Sequence, residues 1–141
     1  MTARFLLDTS ALLAHTRREQ GWARVAALFE ESDCEILAAA VSLTEFAGRL
    51  RELGATAEEA RRMVEDYRDL LDEVVAIDAS VALAAFEIGC ETSQRLPLAD
   101  ALIAAAARER GACLVHRDHH MAAIPASVVE QLDLAKESDS P

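Results

Sequence analysis

Four acids, each beside an apolar segment, are the residues with which this chain could do chemistry: Asp8, Glu45, Asp100 and Asp118. Carboxylates that crowd together repel one another, and one of them normally takes up a proton. A cluster that stays ionised therefore requires a divalent cation, and hard oxygen ligands select Mg²⁺ or Mn²⁺ over zinc. Such an ion polarises a phosphoryl oxygen and lowers the pKa of a bound water, and two ions about 4 Å apart stabilise both the attacking and the leaving oxygen. The four acids therefore predict hydrolysis of a phosphodiester bond.

Asp8 is expected where a strand meets a helix. Leu6 and Leu7 end a short apolar run that is typical of a buried strand. Thr9 or Ser10, followed by Ala and Leu, is typical of a helix start. In open α/β sheets, ligands bind outside the carboxyl ends of the strands, so Asp8 is predicted at the ligand-binding edge.

The other three acids differ in how readily they reach that edge. Glu45 opens the helix after a predicted second strand at 35–41, and Asp118 follows a predicted fourth strand. Strand carboxyl ends and the amino ends of the following helices share one edge of a parallel sheet, so both acids can converge on Asp8. Asp100 opens a helix that precedes a strand, and it reaches the edge only if that helix runs across or toward the site.

Two of the acids also have a structural interpretation. Ser42, with Glu45 three residues later, forms a capping-box pattern in which the Glu45 carboxylate would bond the Ser42 backbone. Asp100 falls in the first turn of a helix that begins near Pro97, where the helix dipole favours a carboxylate. Asp78 is interpreted as a helix cap rather than as a catalyst.

Strand and helix signals alternate along most of the chain, which favours a parallel sheet with helices on both faces. We predict an α/β fold with three layers, α/β/α, around a mostly parallel sheet of four to five strands. Ser42 to Asp72 is expected to form a projecting helical hairpin that ends its first helix at Gly54 and starts its second at Thr56, and that pairs with another subunit.

Length and composition bound the answer further. The 141 residues predict one domain, 1–134, with a disordered polar tail at 135–141. The chain is 52% hydrophobic and 4% aromatic, so its core is mostly aliphatic, with Trp22 as an anchor. Cys34, Cys90 and Cys113 have no paired spacing and are interpreted as buried small hydrophobes.

The charge and the hydropathy pattern address partners and location. A net charge of −11 argues against nucleic-acid binding through a broad basic face, although metal ions can supply local positive charge, and it fits a basic protein partner. No segment approaches the length of a membrane helix, and no signal-peptide pattern is evident at the N-terminus. The expected location is the cytoplasm, with no membrane partner.

The four acids lie in four short motifs: Leu7-Asp8-Thr9-Ser10-Ala11-Leu12, Leu43-Thr44-Glu45, Leu98-Ala99-Asp100-Ala101-Leu102-Ile103-Ala104 and Leu114-Val115-His116-Arg117-Asp118. Together these motifs resemble one family, the PIN domain, and their order and spacing are most similar to VapC-type toxins of bacterial toxin–antitoxin pairs. The resemblance spans residues 5 to about 124. It implies a PIN-like fold and an endoribonuclease, a hydrolase that depends on Mg²⁺ or Mn²⁺ and acts on structured RNA, either tRNA or ribosomal RNA.

The resemblance also assigns roles to residues and partners. The family's acidic quartet maps onto Asp8, Glu45, Asp100 and Asp118 as catalytic residues and metal ligands. Ser10, the hydroxyl residue after the first acid, would orient Asp8 or a metal-bound water. A homodimer is implied, together with a cognate antitoxin that blocks the site, often through a basic or Arg-bearing tail.

The sequence departs from the family pattern after the fourth strand. His116 stands where Thr or Ser is usual, and His119-His120-Met121 stands where a further acid and an aromatic are usual, which puts a second metal position in question. The histidines could contact RNA phosphate, replace the missing acid in a pH-dependent way, or be solvated loop residues. Zinc is not favoured, because no Cys or His pair has finger spacing.

The remaining candidate site residues are arginines that could contact the phosphate groups of a substrate. Five arginines could make such contacts or could be ordinary surface residues: Arg17, Arg18, Arg49, Arg51 and Arg95.

Two other functions of the protein stay open. One is a catalytically silent PIN scaffold that acts by protein binding, motivated by His119-His120. The other is a generic phosphate-binding or receiver-like domain, which is disfavoured because the chain has no glycine-rich phosphate loop.

Overall fold

The structure, a computed structural model, describes residues 2–137 and is built on a five-stranded sheet. The strands are β1 (Ala3–Leu7), β2 (Cys34–Ala39), β3 (Glu73–Val75), β4 (Cys113–His116) and β5 (Gln131–Asp133). Their order is β3-β2-β1-β4-β5, and every pair is parallel. The predicted parallel sheet is confirmed, and β1, which carries Asp8 at its end, lies at the centre.

Helices connect the strands and complete the described chain. They are α1 (Thr9–Arg17), α2 (Trp22–Glu30), α3 (Ala40–Glu52), α4 (Ala57–Leu70), α5 (Ala79–Glu91), α6 (Leu98–Glu109) and α7 (His119–Ala122), with a 3₁₀ helix at Leu134–Lys136. The short α7 was not predicted from the sequence. No helix within residues 2–137 has the length and apolar character needed to cross a membrane.

Different helices cover the two faces of the sheet. Leu6 packs into one core with Ile88 of α5 and Ile103 of α6. Leu7 packs into a second core with residues of α1 to α4, among them Phe46. Successive side chains of a strand point to opposite faces, so these neighbouring leucines are both fully buried only because both faces are covered. The predicted three-layer α/β/α architecture is confirmed.

The direction of helix α6 places Asp100 at the carboxyl edge of the sheet, because the helix runs antiparallel to the strand that follows it. Its C-terminal end lies at the amino edge of the sheet, where Arg110 forms an ion pair with Glu73 at 3.0 Å and its carbonyl accepts a hydrogen bond from Arg4. A helix that leads into a parallel strand must end where that strand begins. The other end of α6, with Asp100, therefore lies at the carboxyl edge beside the end of β4.

Helices α3 and α4 form the expected antiparallel hairpin. Phe46 and Tyr67 pack edge to face with ring centroids 5.3 Å apart. The Tyr67 hydroxyl lies 2.6 Å from His15 Nδ1 and 2.7 Å from Thr16 Oγ1, which ties the hairpin to α1. At the opposite end, Gly54 adopts a φ of 107°, a left-handed conformation that glycine tolerates after a helix end.

The start of α4 is a complete capping box. Thr56 Oγ1 accepts a hydrogen bond from the Glu59 amide at 3.1 Å, and the Glu59 carboxylate accepts one from the Thr56 amide at 2.9 Å. Replacing Thr56 by Ala removes one partner of a helix amide, so we expect the free energy of unfolding to fall by about 1 kcal/mol. Urea unfolding measures this change. Ser93→Ala removes an exposed hydroxyl and is the matched control; an equal loss in both variants would contradict the assignment.

Helix α3 begins earlier than the sequence predicted. The helix begins at Ala40 and its N-cap is Ala39, without a side-chain cap, so Ser42 is not an N-cap. Ser42 is instead fully buried inside the first turn, and its Oγ has no hydrogen-bond partner among the described residues. The predicted capping box between Ser42 and Glu45 is therefore wrong, because the strand before α3 ends earlier than its apolar run.

Three side chains that were expected in the core, Trp22, Cys34 and Cys90, lie nearer the surface. Trp22 is only half-buried, with the Arg18 guanidinium 4.9 Å from its ring centroid, so it is not a core anchor. Cys90 is exposed on α5, Cys34 is half-buried and Cys113 is buried. Apolar neighbours in sequence do not identify which face of a helix is covered. The predicted tail begins within the 3₁₀ helix, and residues 138–141 lie outside the described part of the chain.

Candidate active site

Asp8 is held at the end of the central strand by hydrogen bonds of its backbone amide and of its side chain. Its amide donates to the Val115 carbonyl of β4 at 3.0 Å, which joins the ends of two neighbouring strands. Its Oδ1 accepts from the Ala11 amide at 2.9 Å and from Ser10 Oγ at 2.7 Å, so Asp8 is also the N-cap of α1. The residue is 2% exposed. Both side-chain bonds fall on Oδ1, and Oδ2 receives neither.

Ser10 joins the first and last segments of the site. Its hydroxyl donates to Asp8 Oδ1 and accepts from the Arg117 amide at 2.8 Å. The hydroxyl therefore fixes the Asp8 carboxylate relative to the loop that carries Asp118. The catalytic role of Ser10 stays a prediction.

Glu45 is positioned by a residue that sequence reasoning missed. Thr9 Oγ1 donates to Glu45 Oε1 at 2.7 Å, across 36 positions of sequence. Glu45 lies in the second turn of α3 and is half-buried. The hydroxyl pair Thr9-Ser10 thus holds two acids, one each. The signal available in the sequence was the second hydroxyl beside Asp8.

Asp118 is the N-cap of α7, and the His120 side chain lies close to both Asp118 and Asp100. Its Oδ1 accepts from the His120 amide at 2.8 Å. His120 Nδ1 lies 3.3 Å from Asp118 Oδ1 and 3.6 Å from Asp100 Oδ2. His119 is exposed, and its Nδ1 lies 3.9 Å from Asp118 Oδ1. The two imidazole rings are 4.0 Å apart.

The position of His116 in the fold argues against two of the roles considered for it from the sequence. It is fully buried at the end of β4, so it is neither a solvated loop residue nor a phosphate contact. Its Nδ1 accepts from the Asp118 amide at 3.2 Å, so Nε2 carries the proton and donates to Gln131 Oε1 at 2.9 Å. Gln131 Nε2 in turn donates to the Ile124 carbonyl at 2.8 Å. His116 positions the Asp118 backbone.

The electrostatics show that the acids interact. Burial raises the pKa of Asp8 to about 7, and the charges of Asp118 and Asp100 act in the same direction, against the hydrogen bonds from Ser10 and Ala11. These two hydrogen bonds stabilise the charged form but do not outweigh burial. The Asp8 carboxylate therefore carries an uncompensated cost of ionisation near neutral pH.

Asp100 is affected in the same way, which links it to Glu45 and Asp118. Burial raises the pKa of Asp100 to about 6, and the charges of Asp118 and Glu45 add to the shift, whereas His120 opposes it. The structure therefore brings all four predicted acids into one cluster, with Ser10, Thr9 and His120 around them.

The donor set fits a divalent cation. The charges of Asp118 and Asp100 act on Asp8, and those of Asp118 and Glu45 act on Asp100. The donor atoms of Asp118, His119 and His120 lie within 4.8 Å of one another. A divalent ion offsets both the burial that chiefly raises the pKa of Asp8 and Asp100 and the repulsion between the acids that adds to it. The residues able to hold such an ion are Asp8, Asp100, Glu45 and Asp118, with His120 beside them.

Comparison with known proteins identifies the family. The PIN domain family model matches residues 5–126, which is most of the chain, so the chain belongs to the PIN domain family. The resemblance drawn from the four motifs is confirmed at this level. No curated protein matches the sequence significantly.

Solved structures share the fold over nearly the full chain. VapBC2 from Rickettsia felis, bound to a DNA fragment from its promoter, aligns with a TM-score of 0.73 at 16% identity, covering 92% of this chain and 98% of that chain. VapBC-5 from Mycobacterium tuberculosis, of the VapBC family of toxin–antitoxin systems, aligns with a TM-score of 0.66 at 24% identity, covering 93% of this chain and 98% of that chain. FitAcB from Neisseria gonorrhoeae aligns with a TM-score of 0.70 at 18% identity, covering 94% of this chain and 99% of that chain.

Proposed function

We propose that this protein is a VapC-like toxin, a metal-dependent endoribonuclease that hydrolyses phosphodiester bonds of structured RNA, either tRNA or ribosomal RNA. The observation that carries the proposal is the convergence of Asp8, Glu45, Asp100 and Asp118 at the carboxyl edge of the sheet. Two of these acids have a pKa raised to about 7 and about 6, which is the state expected of a cluster that takes a cation.

The four carboxylates would hold Mg²⁺ or Mn²⁺, and the neighbouring hydroxyls keep two of them in place. A bound divalent ion supplies a Lewis acid for the phosphoryl oxygen and an activated water. Ser10 fixes Asp8, and Thr9 fixes Glu45, through hydrogen bonds of 2.7 Å each. Both are positioning residues, because they act through the acids.

Two arginines at the same edge support binding of a polyanion. Arg117 precedes Asp118 and pairs with Glu19 at 3.1 Å, while Arg17 pairs with Glu19 at 3.3 Å. A shared carboxylate holds both guanidinium groups near the acidic cluster. RNA phosphate could replace Glu19 as their partner, and bidentate recognition of phosphate is a common role of Arg. Arg18 stacks on Trp22 instead, and Arg49 pairs with Glu52.

The proposal includes an antitoxin and a second copy of the chain. The net charge of −11 fits an antitoxin with a basic or Arg-bearing segment that blocks the site. The similarity to VapBC structures supports the same pairing. Leu83, Phe86 and Leu98 are exposed apolar side chains on α5 and α6, which supports a homodimer. We propose that the protein acts in the cytoplasm.

Digestion of total RNA by the purified protein tests the proposal. With Mg²⁺ or Mn²⁺ we expect discrete cuts, and with EDTA we expect none, because the acids need the cation to remain ionised together. Mapping the cut sites identifies the RNA. Absence of cutting with either metal, by folded protein that is free of antitoxin, would overturn the nuclease and favour a catalytically silent PIN scaffold that acts by protein binding.

A further inference from the structure

We infer that His120 is a nitrogen ligand of the metal centre and that it makes this site prefer Mn²⁺ and other first-row transition ions over Mg²⁺. The inference rests on the proposed function, since it requires that the acidic cluster hold a divalent ion. It goes beyond that proposal by adding a donor of another chemical type.

The spacing of the donor atoms is that of ligands around one ion. Two ligand atoms about 2.1 Å from the same cation are about 3.0–3.5 Å apart when their bonds meet at octahedral or tetrahedral angles. His120 Nδ1 lies 3.3 Å from Asp118 Oδ1, which is within this range, and 3.6 Å from Asp100 Oδ2, which is just above it. Both distances exceed the usual length of an N–H···O hydrogen bond. The imidazole therefore lies at coordination spacing from Asp118 and close to that spacing from Asp100.

The backbone around His120 keeps the ring at this place. Asp118 caps α7 through the His120 amide, so the main chain of the histidine is tied to one of the acids. Met121, the next residue, is fully buried and anchors the helix. His116 holds the Asp118 amide from the core side. The His120 side chain itself remains 39% exposed and can accept a metal that arrives from solvent.

An imidazole donor changes the choice of metal. Mg²⁺ favours oxygen ligands and keeps much of its water, whereas imidazole suits later divalent ions, whose affinity rises along the first row from Mn²⁺. A site with carboxylates alone discriminates weakly between Mg²⁺ and Mn²⁺ by donor type. A site with carboxylates and one imidazole binds Mn²⁺ and Co²⁺ more tightly than Mg²⁺.

His119 provides the matched control. It has the same ring and neighbours His120 in α7, but its side chain is 86% exposed and its nearest acid is Asp118 at 3.9 Å, with no contact to Asp100. His119→Gln and His120→Gln remove the same chemical group from adjacent helical positions. Only His120→Gln removes the donor that lies close to both acids.

Electron paramagnetic resonance of Mn²⁺ bound to the full chain tests the ligand directly, because electron spin echo modulation detects a ¹⁴N nucleus bonded to the ion. We expect nitrogen modulation in the wild type and in His119→Gln, and none in His120→Gln. In calorimetric titrations we expect His120→Gln to weaken Mn²⁺ binding by about tenfold and to change Mg²⁺ binding by less than about twofold. Circular dichroism checks that both variants fold.

The outcomes separate this inference from the proposed function. Mn²⁺ binding without nitrogen modulation in the wild type, or modulation lost in His119→Gln and kept in His120→Gln, would overturn the His120 assignment and leave the acidic metal centre intact. Equal loss of Mn²⁺ and Mg²⁺ affinity in His120→Gln would overturn the claim about metal preference. Absence of any Mn²⁺ or Mg²⁺ binding in the wild type would overturn both the inference and the metal-dependent nuclease.

Discussion

Asp8→Asn is expected to lower the rate of RNA cleavage by about a thousandfold or more, while the protein stays folded. The variant keeps a side-chain oxygen that can accept the hydrogen bonds from Ser10 and Ala11, so the N-cap of α1 is preserved. It removes a charge from the acidic cluster that we propose holds the metal, and a bound metal ion contributes several kcal/mol of transition-state stabilisation, with each 1.36 kcal/mol worth about tenfold in rate.

Single-turnover cleavage of an RNA with a mapped cut site, at saturating Mn²⁺, measures this loss. Asp69→Asn is the matched control, because it makes the same chemical change at an exposed position of α4 and should cut at the wild-type rate. If Asp8→Asn cleaves RNA at a rate within about tenfold of the wild-type rate, the assignment of the active site is wrong.

The same variant is expected to be more stable than the wild type when metal is absent, by about 2–4 kcal/mol at pH 8. Burial raises the pKa of Asp8 from 3.8 to about 7 in the folded chain. A raised carboxyl pKa gives a contribution to stability that is fully present below pH 3.8 and is lost as the pH rises through about 7. Above that pH the folded chain holds a buried charge that Asn does not carry. Asp100, with its pKa raised to about 6, causes a loss of the same sign in both proteins, so the difference between them reports on Asp8.

Urea unfolding in EDTA from pH 4 to pH 8 measures the difference between Asp8→Asn and the wild type. We expect it to be small at pH 4, to grow up to about pH 7 and then to level off, whereas Asp69→Asn should show no such trend. Saturating Mn²⁺ should stabilise the wild type, because an ion that binds only the folded state stabilises it by mass action. It should leave Asp8→Asn nearly unchanged, because this variant lacks one of the proposed ligands. A wild type that is the more stable protein at pH 8 in EDTA would contradict the buried charge.

Much of the framework was predictable because its signals are local. Alternating strand and helix patterns predicted the parallel sheet with helices on both faces, and the apolar run that ends at Leu7 predicted the junction at Asp8. These features depend on periodicity and on residues within a few positions. Capping residues with a local partner, Thr56 and Asp78, were predicted for the same reason, and both accept the helix amides expected of them.

The partners of individual side chains depended on contacts distant in sequence. Ser42 and Glu45 have capping-box spacing, yet α3 begins earlier, and Glu45 accepts from Thr9 instead. The position of Asp100 depended on the direction in which α6 meets the sheet, which follows from strand order rather than from the helix itself. Competing local and tertiary partners have similar energies, so packing decides between them.

The sequence by itself determined that Asp8 and Asp118 follow strands, that Glu45 and Asp100 lie near helix starts, and that these elements belong to a parallel α/β domain. Only the tertiary structure decided which polar groups meet. His116 and His120 are four residues apart and chemically identical, yet one is buried under the sheet edge and bonds Gln131, while the other lies beside Asp100 and Asp118. The reason is physical: burial and donor spacing are set by elements that pack together from distant parts of the chain.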